Sequence, residues 1–476
     1  MRGAGMKHET WGASWPRRAA FVTAGVLVLA ACDGILDVDE SGIIVGEDLD
    51  AAGPAAIAAI VNGIVGSYHE AADDIVRYTS LITDEMIAAG TFPTHLQVDE
   101  RRIQQNNTTL TGGMYIPLHQ ARQQADTTVF VLEKRLQDPE FISVIRDVSE
   151  GIALGKLYGG YSRIWLAEIY CWSILTGVFP ETSPLLPDTR MLQALTFLRE
   201  AESLAGTEGL EDVRQAAIVG QARAHLWLRD FDQAAALAAR VPREFTYLAE
   251  YSHNSPGQYN ELYSFTWGNT QGIDWTVGNG ESPTRGNEKW EFLDQFVRLN
   301  LLRISPDGFR SSDSNIPVVL QRLYPREESS VLMASGVEAA LIRAEASVRS
   351  GQTATAAQLL NDMRADYSLR VLLRSRVELP VAGDQLGPLV LTGDLLTDLK
   401  VVADERAREL WLTGDRLTTS RRFRVELGID LFPSIKESIG GGDDIAFPIP
   451  QLELDTNPNL GTDMACPAGQ AIGAWR

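Results

Sequence analysis

The chain of 476 residues is poor in the groups on which most metal and redox chemistry rests. Its three cysteines, at 32, 171 and 466, include no C-x-x-C spacing, which excludes a disulfide-dense scaffold and the common zinc and dithiol motifs. Six scattered histidines form no H-E-x-x-H helix. There is no G-x-S-x-G nucleophile elbow, and residues 151–156 lack the Walker spacing and the hydroxyl after the lysine. No catalytic residue, metal or cofactor is therefore expected. Cations are scarce as well: 42 Lys and Arg face 63 Asp and Glu, a formal charge of −21. Such a surface repels phosphate backbones, so nucleic acid is not an expected partner. Paired carboxylates of a glycoside hydrolase cannot be read from so many candidates, because their separation is set in space.

No apolar run is long enough to span a bilayer. The longest, Ala19 to Leu29, follows Arg17-Arg18 and has the length of a signal-peptide core. It ends in Leu29-Ala30-Ala31-Cys32, small residues before a cysteine, as in the lipobox of bacterial lipoproteins. Residues 1–31 thus read as a cleaved lipoprotein signal and Cys32 as the acylated first residue of the mature chain. Buried acyl chains contribute about 0.8 kcal/mol per CH₂, enough to hold a protein on a membrane. Removing the signal takes away four basic residues and one acid, leaving the chain more acidic still. Asp33 leaves open which membrane receives it. Residues 32–53 read as an acidic tether rather than a calcium loop, since Val45 and Asp48 stand where later ligands would be needed.

The remainder has helical periodicity. Pro54 opens a helix with Ile57, Ile60, Val61, Ile64, Val65 and Tyr68 on one face. Residues 117–136 repeat the pattern through Ala121, Ala125, Val129, Leu132 and Leu136, and 150–173 are apolar enough for a buried helix. Ala222 and Ala234 lie twelve residues apart in successive helices, as do Ala344 and Ala356. That spacing of small residues is the packing signature of tetratricopeptide (TPR) helix pairs. Residues 156–173 with 190–205 make a third candidate pair. The expected fold is mainly α: a TPR-like α-α superhelix with long loop-rich insertions. Its expected divisions are 54–244, a loop-rich 245–330 and 331–476. Residues 377–394 read as a further irregular insertion.

The insertion at 245–330 holds the strongest binding signal. Ten aromatic residues fall between Phe245 and Phe292, interleaved with Asn254, Gln258, Asn260, Asn269, Gln271, Asn279 and Asn287. Aromatic faces beside amide donors and acceptors are what sugar recognition needs: a ring for the C–H face of a pyranose and amides for its hydroxyls. Phe265, Phe292 and about half of the Trp and Tyr residues are expected to pack the insertion onto the helices. Trp267 and Trp275, flanked by glycines and asparagines, are expected as exposed platforms, with Tyr259, Tyr263, Asn269 and Asn279 beside them. An aromatic or peptide ligand would use the same chemistry. Cys171, among Ile169, Tyr170, Trp172 and Ile174, reads as a buried inert thiol, with a bond to Cys466 as the alternative.

Several segments together resemble the SusD/RagB family of outer-membrane nutrient-uptake lipoproteins. They are Cys32-Asp-Gly-Ile-Leu-Asp-Val, Leu341-Ile-Arg-Ala-Glu-Ala346 with Asn361 and Arg364, and Glu405-Arg406-Ala-Arg-Glu409-Leu410. Gly414-Asp415-Arg416, Arg421-Arg422-Phe423, Phe447-Pro-Ile-Pro450 and Asn457-Pro-Asn-Leu460 complete the series. Met114-Tyr115 and the Cys466 tail depart from the family pattern. Glu405, Arg406 and Glu409 stand one helical turn apart, able to pair among themselves or cap neighbours, and read as structural. The resemblance implies a SusD-like fold and a non-enzymatic, surface-exposed, lipid-anchored receptor. It would bind an oligosaccharide or other nutrient at the outer membrane and pass it to a SusC-like TonB-dependent transporter. A TPR envelope-assembly lipoprotein and, less favoured, a lipoprotein glycoside hydrolase are the alternatives.

Overall fold

The computed structural model describes residues 53–267, 273–298, 301–304, 311–313, 316–365 and 386–460. Cys32, the tether to residue 52, Asn269, Cys466 and residues 377–385 of the second insertion lie outside the described residues.

Twelve helices carry the architecture used below: α1 (Ile57–Ile82), α2 (Pro93–Asp99), α3 (Ile116–Arg135), α4 (Ile145–Ile169), α5 (Pro187–Glu208), α6 (Glu211–Trp227), α7 (Phe231–Ala238), α8 (Glu261–Thr266), α9 (Gly336–Arg349), α10 (Thr353–Ala365), α11 (Leu395–Glu409) and α12 (Asp415–Leu427). From α3 through α7 each helix packs on the next, and α7 then packs directly on α9. The helical ladder is therefore continuous across residues 239–335, which leave it and return. Small residues make the ladder tight. A Cβ at Gly151 or Gly155 of α4 would come within 2.6 or 2.7 Å of Leu132 or Val129 of α3, and one at Gly160 within 2.7 Å of Leu198 of α5. These glycines let α4 approach both neighbours, which is why the helix is enclosed from Gly151 to Ile169.

Both alanine spacings resolve into helix contacts. Ala222 of α6 and Ala234 of α7 share a cluster with Ala339 and Ile342 of α9. Ala344 of α9 and Ala356 of α10 share another with Leu360, Leu399 and Phe423. Asp230 and Ser335 cap α7 and α9 by accepting from Gln233 N (3.4 Å) and Glu338 N (3.1 Å). On α3 the expected face is buried except Leu136, which follows the helix end and is 38% exposed.

The insertion is built of short paired segments rather than open loop. Strand β2 (Thr246–Ala249) pairs antiparallel with β6 (Val331–Ser335), from Thr246 opposite Ser335 to Ala249 opposite Val331, so the two ends of the insertion close on each other. Between them, β3 (Trp275–Thr276) pairs with β1 (Ile87–Ala88), and β4 (Leu302–Ile304) with β5 (Val319–Gln321). One core runs from Ile64 through Trp275 and Trp290 to Phe447, and so crosses all three expected divisions. The described residues form one compact unit.

The C-terminal motif residues meet across helices. Glu345 accepts from both terminal nitrogens of Arg422 (2.8 Å each) and from Arg349 (3.0 Å). Glu405 accepts from Arg364 (2.8 Å) and Arg408 (2.7 Å), Arg406 pairs with Asp415, and Arg416 holds Asp84 through two bonds (2.8 and 2.7 Å). Glu405 thus draws partners from α10 and from its own helix, and Arg406 from α12. The Pro-Ile-Pro segment is extended, its Phe447 N donating to Ile169 O (2.9 Å) at the end of α4. Cys171 is disulfide-bonded, which corrects its reading as a free thiol.

Glu85, buried beyond the end of α1, accepts from Leu412 N (2.7 Å) through Oε1. Burial, opposed by that bond, pushes its carboxyl from 4.5 up to about 8. The folded chain thus holds a proton that the unfolded chain has released, and this site's stability contribution falls as pH rises from 4.5 towards 8. Glu85→Gln keeps an acceptor without a titrating charge. Its stability relative to the parent should climb by up to about 1.4 kcal/mol per pH unit across that window and level off above it. Denaturant unfolding at pH 5, 6.5 and 8.5 measures this, and a difference independent of pH contradicts it.

Candidate ligand-binding cleft

The first half of α1 buries one stripe, but from Ala71 to Ile82 every residue is buried. Asp73, Asp74 and Arg77 are therefore carried inside the molecule and must find partners there. Asp73 accepts from Glu261 N (2.6 Å), at the start of α8, and from Asp74 N (2.9 Å). Arg77 pairs with Asp74 through one terminal nitrogen and donates to Glu261 through the other (2.8 Å). Its guanidinium lies 4.5 Å from the Phe265 ring centroid, 4.7 Å from Tyr78 and 5.6 Å from Trp275. Asn260 caps α8 by accepting from Tyr263 N (3.1 Å) and donates to Ser329 O (2.7 Å). One arginine thus ties α1 to the insertion by charge and by aromatic stacking.

Along this seam lies a cleft of about 730 Å³ between α1 and residues 250–261. One wall presents Asn62, His69, Glu70, Asp73, Asp74 and Arg77, and the other Glu250, Tyr251, Ser252, Asn254, Gln258, Tyr259 and Glu261. Its volume is within the range of small-molecule sites. Tyr251 Oη donates to His69 O (2.6 Å), and His69 Nδ1 accepts from Glu250 N (3.0 Å), which pins the two walls together. Burial lowers His69 to about 4, so the imidazole is neutral near pH 7. Burial raises Asp74 to about 7 against the pull of Arg77, and raises Asp73 well above its ordinary value, Asp74 beside it adding to the effect. A second cavity, about 440 Å³, is lined by Asp84, Lys400, Asp404, Arg416 and residues 429–435.

Tyr259 lies in the cleft, half-buried. Tyr263 is half-buried on α8, one turn from the cleft wall. The other expected residues are placed differently. Trp275 is fully buried: it pairs with Ile87–Ala88 through β3, donates through Nε1 to His95 Nδ1 (3.2 Å), and packs against Tyr78, His95 and Phe265. It is a core side chain and no exposed platform. Trp267 is half-buried against Ile273, Val318 and Leu320, its Nε1 donating to Gln321 O (2.5 Å), so that its polar edge is already used. Asn279 accepts from Glu281 N (3.0 Å) within its own turn and does not line the cleft. Of the residues expected to pack the insertion onto the helices, Phe292 is buried and Phe265 half-buried against the core; Phe245 and Trp290 are buried as well.

The α1 wall was missed at the level of sequence. Its signal is present: Asp73-Asp74 and Arg77 sit among Ala71, Ala72, Ile75 and Val76, where the apolar stripe widens to the whole helix. Among the described residues no group of three or more His, Cys, Asp or Glu is placed to hold a metal ion, and no helix is long and apolar enough to cross a membrane.

No protein-family model and no curated protein matches the chain. Solved structures do match. A SusD superfamily protein from Bacteroides thetaiotaomicron aligns with TM-score 0.63 at 13% identity, covering 86% of this chain and 99% of its own. A SusD superfamily protein from Bacteroides fragilis gives 0.60 at 12%, covering 87% and 99%. A putative sugar binding protein from Bacteroides vulgatus gives 0.57 at 16%, covering 86% and 98%. The class defined is a mainly α, TPR-like protein with a structured insertion. The particular fold is that of the SusD superfamily, as the motif resemblance implied.

Trp275→Ala should cost about 3–5 kcal/mol of stability, the penalty for emptying an aromatic core site. Tyr259→Ala, at a half-open position, should cost about 1 kcal/mol or less. Denaturant unfolding of the two variants separates core from wall; a Trp275 variant as stable as the parent would contradict its placement.

Proposed function

We propose that the cleft between α1 and residues 250–261 binds an oligosaccharide, and that the chain is a lipid-anchored receptor passing it to a SusC-like TonB-dependent outer-membrane transporter. The observation that carries the binding reading is the cleft's composition. Tyr251 and Tyr259 offer ring faces, while Asn62, Asn254, Gln258 and Ser252 offer neutral donors and acceptors. The likeness in fold to the putative sugar binding protein from Bacteroides vulgatus supports it. The anchor rests on the lipobox ending at Cys32, and the transporter and surface location rest on the motif resemblance. Supporting binding over bond breaking, the two raised carboxyls in the cleft are both engaged: Asp73 by two backbone N–H groups and Asp74 by Arg77.

The test is calorimetric titration of the full chain, purified in detergent, against a panel of oligosaccharides, with product analysis for cleavage. Tyr259→Ala and Asn62→Ala should each weaken binding by about 1 kcal/mol or more, the scale of one stacking contact or one hydrogen bond, with the sugar recovered intact. Binding unaffected by both variants contradicts the cleft, and hydrolysis contradicts the receptor.

A further inference from the structure

Resting on the reading of the cleft as an oligosaccharide site, we propose that it selects by charge, accepting neutral and amine-bearing sugar chains and rejecting uronic-acid chains. The argument lies in what each charged group facing the cavity is already doing. Five carboxyl groups line it, Glu70, Asp73 and Asp74 from α1 and Glu250 and Glu261 from the opposite wall, against one guanidinium, Arg77, and one imidazole, His69.

Neither basic group is available to an incoming carboxylate. Arg77 is more than nine-tenths buried, and both of its terminal nitrogens are taken, by Asp74 and Tyr78 on one and Glu261 on the other. Its Nε alone has no acceptor among the described residues. That atom is itself buried, so the guanidinium has no open two-pronged face, which is what an anion needs. His69 is held neutral by burial, and its Nδ1 already accepts from Glu250 N.

The acidic side is less fully spent. Asp73 is committed to backbone N–H groups, and Asp74 and Glu261 to Arg77. Glu70 and Glu250 are exposed at opposite walls and pair with no cation among the described residues. These two side chains are acceptors for the ammonium of a 2-amino sugar, and a uronate placed between them would meet only like charge. The chain's overall charge of −21 adds to the exclusion of anions.

The experiment compares three oligosaccharides of one length by calorimetry on the full chain in detergent: a glucosamine, an N-acetylglucosamine and a galacturonate oligomer. The glucosamine chain should bind at least tenfold more tightly than the galacturonate chain, with the ratio shrinking at high salt. The double variant Glu70→Gln/Glu250→Gln should reduce that ratio to below threefold. Galacturonate binding as tightly as glucosamine overturns charge selection while leaving carbohydrate binding standing. A preference that survives the double variant also overturns it, as attraction to the acidic chain at large. Binding of no oligosaccharide of any charge overturns both readings.

Discussion

Buried carboxylate–guanidinium pairs fix how the helices meet, and the rest of the molecule depends on them. Glu345 with Arg422, Arg364 with Glu405, and Arg406 with Asp415 cross between helices, with every carboxylate of the three almost wholly buried. Desolvating such groups is costly, and only good geometry offsets it, so a shift of one helix by a turn would leave several charges unpaired. The web supplies registry where alanine and glycine contacts alone leave a helix free to slide. It reaches α1 through Arg416 and Asp84, just beyond that helix's end. It also reaches α4 and α6, through Arg223 between Glu168 and Glu338.

The same constraint, used once more at the other side, creates the cleft. Asp73, Asp74 and Arg77 are enclosed because α1 is covered on all sides by α3, α4 and the returning insertion. Their partners are the N–H and carboxylate of Glu261 and the ring of Phe265, both in the insertion. A segment with little secondary structure is thereby held against a long helix by a small set of strong contacts. The walls that result are preorganised, with polar groups already committed at the base and amides and tyrosines remaining along the sides. Preorganisation of this kind lowers the ordering cost of binding a flexible polar ligand.

The helical ladder was legible because its determinants are local: Ala222 and Ala234, or Ala344 and Ala356, need only a helix, a turn and a second helix to meet. The C-terminal motifs were legible as structural, though not in their pairing, since Glu405 finds Arg364 and Glu345 finds Arg422 across helix boundaries that residue spacing does not encode. Trp275 shows where such reading stops. Its glycine and asparagine neighbours suggest exposure, yet pairing with Ile87–Ala88, distant in sequence, places it at full burial. Tyr259 was legible because, among the described residues, no distant strand pairs with residues 256–259, so its Gln and Gly neighbours leave it half-open. The opposite wall was not, because Asp73 and Asp74 look like a solvated helix face until the insertion covers them.

A crystal structure of the protein with the best-binding oligosaccharide tests the central claim most directly. The account predicts sugar density between α1 and residues 250–261, with a pyranose ring against Tyr259 and hydroxyls within hydrogen-bond distance of Asn62 or Gln258. Sugar bound elsewhere, for example in the cavity lined by Arg416 and Phe432, with this cleft holding only solvent, would contradict it.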